Sequence, residues 1–322
     1  MATETHLVLN RTNDKLPLVG FGCWKVSKED AEDVIYNAIK AGYRLFDGAS
    51  DYGNEVEVGR GIKKAIEEGI VDRKDLFIVT KLWNTYHNKA NVRVAFEKQL
   101  NELQLDYIDL YLIHFPVPLK FVDFDKADPP GWYQPGKDVV EFEASPIHET
   151  WREMEKLVEA GLVRNIGISN FNVQSILDLL TYAKIKPAVL QVELHPYLPQ
   201  ERLVKWVQDQ DIQIMAYSSF GPSSYIDLHD DGKKAAPLLQ HDTIKAIAEK
   251  HKVSPSQVLL RWALDRGTVV IPKSSNEQRL KQNLDVFGFK LDTDDKQRLA
   301  SLQNNQRLND PILYGFGIPL FE

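Results

Sequence analysis

Short apolar runs alternate along this chain with stretches in which apolar residues recur every three or four positions, the pattern of a repeated strand–helix unit. Eight runs read as strands: VGFG (19–22), RLFD (44–47), LFIVTK (76–81), IDLYLIH (108–114), VRNIGIS (163–169), AVLQVE (188–193), IQIMAYS (212–218) and TVVIPKS (268–274). Val34, Ile35, Ala38 and Ile39 mark one helical face, Val92, Ala95, Phe96, Leu100 and Leu103 a second, and Ile176, Leu177, Leu179 and Leu180 a third. Ahead of the repeat, LVLN and KLPLVG flank the turn-forming NRTND and predict a small hairpin. Eight such units are what a (β/α)8 TIM barrel requires, so the expected fold is one α/β barrel domain over 1–322 with an N-terminal hairpin. An open doubly wound sheet alternates in the same way. It loses support because Gly20-Phe21-Gly22 runs into Cys23, Trp24 and Lys25 without the third glycine of a dinucleotide turn.

Three segments are too long for ordinary barrel connections: 115–145, 219–239 and the tail from 303 to 322. The first two follow the fourth and seventh strands, so they emerge at the C-terminal face, where barrel sites are built. Composition narrows the partners. With 39 Lys and Arg against 46 Asp and Glu the net charge is −7, and no long basic run is present, which argues against a nucleic-acid surface and for a small-molecule partner. The single cysteine, Cys23, excludes an internal disulfide and a cysteine-rich metal site and suits a reducing compartment. No signal-like N-terminus, long apolar span or metal motif is apparent, so the expectation is a cytoplasmic protein with no membrane span and no metal.

Four polar residues stand at or just after strand ends: Asp47, Tyr52, Lys81 and His114. Each alone has an ordinary reading, as a capping Asp, a rim Tyr, a surface Lys or a His satisfied by backbone. Together on consecutive strand ends they read as a site. A phenol titrates near 10 and needs help to give up its proton at neutral pH. The ammonium of Lys81 is expected to lower the pKa of Tyr52, with Asp47 keeping that ammonium charged and aimed.

With those residues placed, the chain resembles the aldo-keto reductases, and more closely the yeast and fungal D-xylose (aldose) reductases. The resemblance runs through VGFGCWKV, DGASDYGNE, VTKLWN, LYLIHFP, GLVRNIGISNF, LQVELHPYL, AYSSFGP and VVIPKSS, in family order along almost the whole chain. It implies a barrel that binds NADPH across its C-terminal face, with NADH as a second candidate cofactor, and acts on an aldose or aldehyde with no metal. Tyr52 would be the general acid, Lys81 and Asp47 its support, and His114 the residue that orients the carbonyl. Ser169, Asn170 and Gln191 resemble the groups that hold the nicotinamide carboxamide, and Tyr217 the aromatic on which that ring stacks, with Ser218 and Phe220 beside it. Lys273, Ser274, Ser275, Asn276, Arg279 and Asn283 resemble the set around the adenosine phosphate, and Asp227 an acidic residue that accepts ribose hydroxyls. Ser275 departs from the Asn found there in some reductases that use both cofactors.

Several of these positions have a second reading. Ser169-Asn170 also caps the helix NVQSILDLL, Lys273 and Arg279 also suit a solvated face, and Asp51 is also a turn residue in SDYGN. For the substrate the resemblance points to Trp24, Asp51, His114, Phe115, Phe220 and Asn309, an apolar wall with groups for sugar hydroxyls. Related yeast reductases are commonly homodimers. D-xylose reduction to xylitol is the expected activity. The alternatives are a general aldehyde or ketone reductase and a non-catalytic regulatory barrel.

Overall fold

The computed structural model describes residues 5–321. An antiparallel hairpin, β1 (His6–Val8) and β2 (Lys15–Pro17), precedes eight parallel strands that pair in sequence order. These are β3 (Phe21–Gly22), β4 (Leu45–Asp47), β5 (Phe77–Leu82), β6 (Ile108–Ile113), β7 (Val163–Ser169), β8 (Val189–Glu193), β9 (Gln213–Tyr217) and β10 (Thr268–Val270). The curled sheet closes on itself. Val19 bridges Val270, Gly20 N–H donates to Val270 O at 2.7 Å, and Val270 N–H donates to Leu18 O at 2.9 Å. The result is the expected TIM barrel.

The helices are α1 (Lys28–Ala41), α2 (Glu55–Glu67), α3 (Val92–Glu102), α4 (Ile147–Glu159), α5 (Val173–Tyr182), α6 (Glu201–Asp209), α7 (Asp230–Lys234), α8 (Asp242–His251), α9 (Pro255–Leu264), α10 (Glu277–Leu284) and α11 (Thr293–Ala300). Among the described residues, none is long and apolar enough to cross a membrane. Local sequence sets their ends. Ser27 accepts from Asp30 N–H at the start of α1, and Gly42 ends that helix at φ 111°, a left-handed conformation that glycine adopts without steric cost.

Side-chain alternation assigns the two faces of the barrel wall. Leu45, Phe77, Val79, Leu110, Leu112, Val189, Met215 and Val269 form an inner cluster, joined by Leu9, Leu16 and Leu18 of the hairpin segment. Asn10 donates to Pro187 O and Asp211 O, just before β8 and β9, so the hairpin plugs the N-terminal end of the barrel. The intervening residues Phe46, Ile78, Tyr111, Leu190, Ile214 and Ala216 face the helices. Asp47, Lys81, His114, Gln191 and Tyr217 fall two residues beyond inward-facing positions, so the same alternation aims them into the C-terminal mouth.

Two expectations need correction. The last barrel strand ends at Val270 and not at Ser274, since Pro272 has no N–H to continue a ladder. Leu177 is 51% exposed, because the buried face of α5 runs through Ile176 and Leu179 and Leu177 lies about 100° round from Ile176. The long 219–239 connection, whose internal elements the sequence did not resolve, holds α7 and two short 3-10 turns, Gly221–Ser224 and Leu238–Gln240. The 115–145 segment is irregular apart from a Leu119–Phe142 bridge.

Gly167 sits on β7, where an added Cβ would meet Val189 O at 2.6 Å and Leu112 Cδ2 at 2.7 Å. Gly167→Ala is therefore expected to overpack the barrel interior and cost about 1–3 kcal/mol. A thermal midpoint equal to the parent's would show that the interior has room at this point.

Candidate active site

Tyr52 reaches the mouth on a single 3-10 turn, Ser50–Tyr52, that follows β4 and ends at Gly53 with φ 67°. The turn is braced from behind, since Asn54 donates its amide to Cys23 O at 3.0 Å and to Val26 O at 2.9 Å. Lys81 lies fully buried at the centre. Its Nζ contacts both oxygens of Asp47 at 2.9 Å, Gly48 O at 2.8 Å and Tyr52 OH at 3.1 Å. An ammonium only donates, so Tyr52 Oη must accept from it. The phenol's own proton is thereby left to point into the cavity.

The expected lowering of the Tyr52 phenol by Lys81 is not the net outcome. The phenol is pushed well above its ordinary value, first by burial and then by the Asp47 and Asp51 carboxylates. Asp47 offsets the lysine charge at the same point, so the ammonium orients the phenol and does not leave it acidic. His114 moves the other way: burial, then Lys81 and His87, hold it well below the ordinary imidazole range. It is a neutral ring against Phe115, with centroids 5.0 Å apart, and edge-on to Tyr52 at 5.9 Å. A neutral imidazole with a protonated phenol can polarise and then protonate a carbonyl oxygen. Asp51, half-buried beside them, is pushed up to about 7 by desolvation against the pull of Lys81.

The second half of the site is a hydrogen-bonded chain across four elements. Tyr314 OH donates to Asn309 Oδ1 at 3.1 Å, Asn309 Nδ2 to Tyr217 OH at 2.9 Å, and Tyr217 OH to Asn170 Oδ1 at 2.6 Å. Asn170 Nδ2 then donates to His114 O at 2.9 Å and Ser169 Oγ at 3.2 Å. Asn170 takes φ 63° and Ser218 φ 53°. Left-handed non-glycine residues cluster at functional sites, because surrounding contacts must hold them there. Gln191 turns its amide nitrogen to Asp47 Oδ1 at 2.7 Å, so it braces the buried pair from the side facing the cavity.

One cavity of ≈ 530 Å³ joins these parts. Asp47, Asp51, Tyr52, His114 and Phe115 line one side, with Trp24 and Phe220 nearby. Ser169, Asn170, Gln191, Tyr217, Ser218, Asp227, Lys273 and Asn309 line the rest. Lys81 lies behind Tyr52, out of reach of the cavity. Ser274 and Asn276 instead organise the start of α10: Asn276 Oδ1 accepts from Arg279 N–H at 3.0 Å, and Ser274 Oγ accepts from Asn276 N–H at 3.2 Å. Arg279 and Ser275 are exposed there, and Asn283 is buried.

The polar groups fit a nicotinamide dinucleotide. Ser219 Oγ is buried at the cavity wall with no partner, and Lys25 and Lys273 approach closely enough for Lys273, after burial, to depress the Lys25 ammonium. An anion between them would relieve both. Asp227 acts on Lys25 in the opposite sense.

Sequence reasoning missed part of the wall. Trp83, Trp132, Tyr225, Leu228, Pro311, Tyr314 and Phe316 also line the cavity. Trp83 follows β5 directly and was within reach of the strand-end argument. Trp132 and Phe316 stack at 4.8 Å from two irregular segments, and no periodicity signals such a contact.

Residues 18–304 match the aldo/keto reductase family. The chain belongs to that family. It is 64% identical over its full length, and over all of the relative, to a 4-dihydromethyl-trisporate dehydrogenase of Mucor mucedo. It is 55% identical to an NADPH-dependent D-xylose reductase of Meyerozyma guilliermondii, over 92% of this chain and 94% of that one. The aldose reductase from Schistosoma japonicum superposes with a TM-score of 0.87 at 34% identity, over 98% of each chain.

For a chain of this family the geometry predicts that Tyr52→Phe removes the proton donor and leaves the cavity intact. Turnover with an aldehyde should fall by about 10²–10⁴-fold with affinity for the nicotinamide cofactor little changed. Parent-level turnover would take Tyr52 out of the reaction.

Proposed function

We propose that this chain, as a single barrel domain, reduces aldoses to alditols with NADPH as the preferred cofactor, D-xylose to xylitol being the leading case. The observation that carries the reduction step is the lysine-held phenol of Tyr52, whose free proton faces the cavity beside a neutral His114. When bound, the nicotinamide supplies the hydride that the carbonyl carbon receives. The chain's residues do the rest. Tyr217, Asn170, Ser169 and Gln191 would hold the ring and its carboxamide, Lys25 and Lys273 the phosphates, and Arg279 the charge that distinguishes NADPH from NADH. His114 holds the carbonyl oxygen and Tyr52 protonates it, with the resulting phenolate left beside the Lys81 ammonium.

Recognition of sugar hydroxyls falls mainly to Asp51. Asn309 already has an amide hydrogen on Tyr217 and an oxygen lone pair on Tyr314, so one hydrogen and one lone pair of its amide remain for a ligand. Because the Asp51 carboxyl titrates at about 7, it is neutral below that pH and an anionic acceptor above it. The KM for xylose should therefore fall between pH 6 and 8, and the change should vanish in Asp51→Asn. An identical profile in the two proteins would remove Asp51 from sugar binding.

A second reading is favoured by the aromatic wall of Trp24, Trp83, Phe115, Trp132 and Phe316. Together with the trisporate dehydrogenase relative it supports a larger apolar alcohol or ketone as substrate. Steady-state kinetics on xylose beside a panel of apolar aldehydes and ketones separates the two.

Arg279→Ala tests the cofactor. A charge-assisted hydrogen bond to phosphate contributes about 1.5–3 kcal/mol, so NADPH binding should weaken by roughly 10- to 100-fold while NADH changes little. Equal losses would mean that Arg279 supports the fold and does not read the phosphate.

A further inference from the structure

Glu193 is the last residue of β8, opposite Tyr217 in the register, and its side chain is fully buried. Nothing in the reaction above uses it. Its carboxylate accepts from His195 Nε2 at 2.8 Å, from Leu308 N–H at 3.0 and 3.1 Å, and from Asn309 N–H at 2.9 Å. Burial alone would raise this carboxyl, but the His195 hydrogen bond and charge, Arg307 and the Asn309 N–H together hold it below its ordinary value. It is an anion held by His195 and by two N–H groups of the C-terminal tail.

The same tail residue is held from the opposite side. His229 Nε2 lies 2.9 Å from Leu308 O, while His229 Nδ1 accepts from Gly232 N–H at 3.0 Å at the start of α7. Nδ1 therefore carries the lone pair and Nε2 the hydrogen, so the ring donates to Leu308. His229 stands two positions beyond Asp227 and packs edge-on to Tyr314 at 5.3 Å. One residue, Leu308, thus receives the barrel through its N–H and the segment after β9 through its carbonyl. The next residue, Asn309, reaches Tyr217.

We propose that Glu193 is the positioning residue of the substrate wall: its carboxylate fixes where the tail crosses the barrel mouth, and His229 ties the segment that covers the cavity to that same point. Asn309, Tyr314 and Phe316 line the cavity only while residues 308 and 309 stay on this anchor. A substrate large enough to touch those side chains depends on it. A short aldehyde, reaching only Tyr52 and His114, does not.

The selectivity part rests on the reductase reading, so the test has two readouts, one of them independent of activity. The variants are Glu193→Ala, which removes the anchor, Glu193→Gln, which keeps an oxygen for the tail N–H groups, and His229→Phe, which removes the Leu308 carbonyl's donor together with the acceptor of Gly232 N–H. In the folded protein, trypsin cleavage after Arg307 should quicken about 10-fold or more in Glu193→Ala, the scale expected for losing hydrogen bonds to a charged group. The same cleavage should quicken less in His229→Phe and stay near the parent rate in Glu193→Gln. In kinetics with NADPH, the KM for an aromatic aldehyde should rise about 10-fold relative to that for propanal in Glu193→Ala, by the same scale, with kcat nearly constant.

Cleavage after Arg307 at the parent rate in both disrupting variants would overturn the anchor. Equal losses on the two aldehydes would overturn its role in selectivity. If Glu193→Ala does not fold, His229→Phe decides both readouts, since it leaves every barrel strand unchanged. A parent protein that reduces neither aldehyde would sink the reductase reading and leave the cleavage result to judge the anchor.

Discussion

The buried pair of Lys81 and Asp47 is the constraint around which the mouth of this barrel is organised. Removing two charges from water costs several kcal/mol per ion even after relaxation, and a pair recovers that only when its remaining hydrogen-bonding capacity is filled. Here Lys81 has both Asp47 oxygens, Gly48 O and Tyr52 OH, and Asp47 takes Gln191 as well. The Tyr52 phenol and the Gln191 amide are therefore placed by the needs of the ion pair. Strand register decides whether any of this exists. A slip of one residue on β5 would turn Lys81 to the helices and bring Thr80 to the mouth.

At Thr80 the outward side of β5 is polar too, and it stiffens the same layer. Thr80 donates to Glu55 Oε1 at 2.5 Å, Gln99 donates to Thr80 Oγ1 at 2.8 Å and to Lys81 O at 3.2 Å, and Tyr111 OH donates to Gln99 Oε1 at 2.8 Å. Burial pushes the Glu55 carboxyl up to about 7, although Thr80 and Gln99 pull it down. Lys81 is thus fixed from the cavity side by charge and from the helix side by neutral hydrogen bonds to its own backbone. A group so held loses little entropy when the phenol beside it becomes an anion, which is the sense in which the site is organised before substrate arrives.

What could be read in the sequence follows from what depends on alternation. The eight strands, the hairpin and the strand-end placing of Asp47, Lys81, His114 and Tyr217 all follow from patterning and strand ends, whereas the hairpin's role as a plug and the inward aim of Gln191 needed the structure. The direction of the Tyr52 shift needed it too, because it depends on how far burial and two carboxylates outweigh one ammonium that is already paired. Glu193 was equally opaque. It stood inside a quoted motif, LQVELHPYL, yet apart from His195 its partners are backbone N–H groups more than a hundred residues away, and a backbone donor has no residue type for a sequence to show. Trp132 and Phe316 meet for the same kind of reason, from segments with no period.

Chemistry and selection consequently sit on different materials in this fold. Asp47, Lys81 and His114 lie on or just after barrel strands and Tyr52 on a braced turn, with Lys81 and Asp47 each held by several hydrogen bonds. Much of the wall that a substrate's far end would meet comes from 115–145, 219–239 and the tail, joined by the Trp132–Phe316 stack and by Leu308 between Glu193 and His229. Such segments change sequence with little cost to the barrel, since they bury few ladder hydrogen bonds. Relatives named for a trisporate compound and for D-xylose are 64% and 55% identical to this one chain. The strand-end group of Asp47, Tyr52, Lys81 and His114 suits carbonyl and alcohol chemistry, and in the role proposed for Glu193 the tail that its carboxylate holds selects which carbonyl compounds reach it.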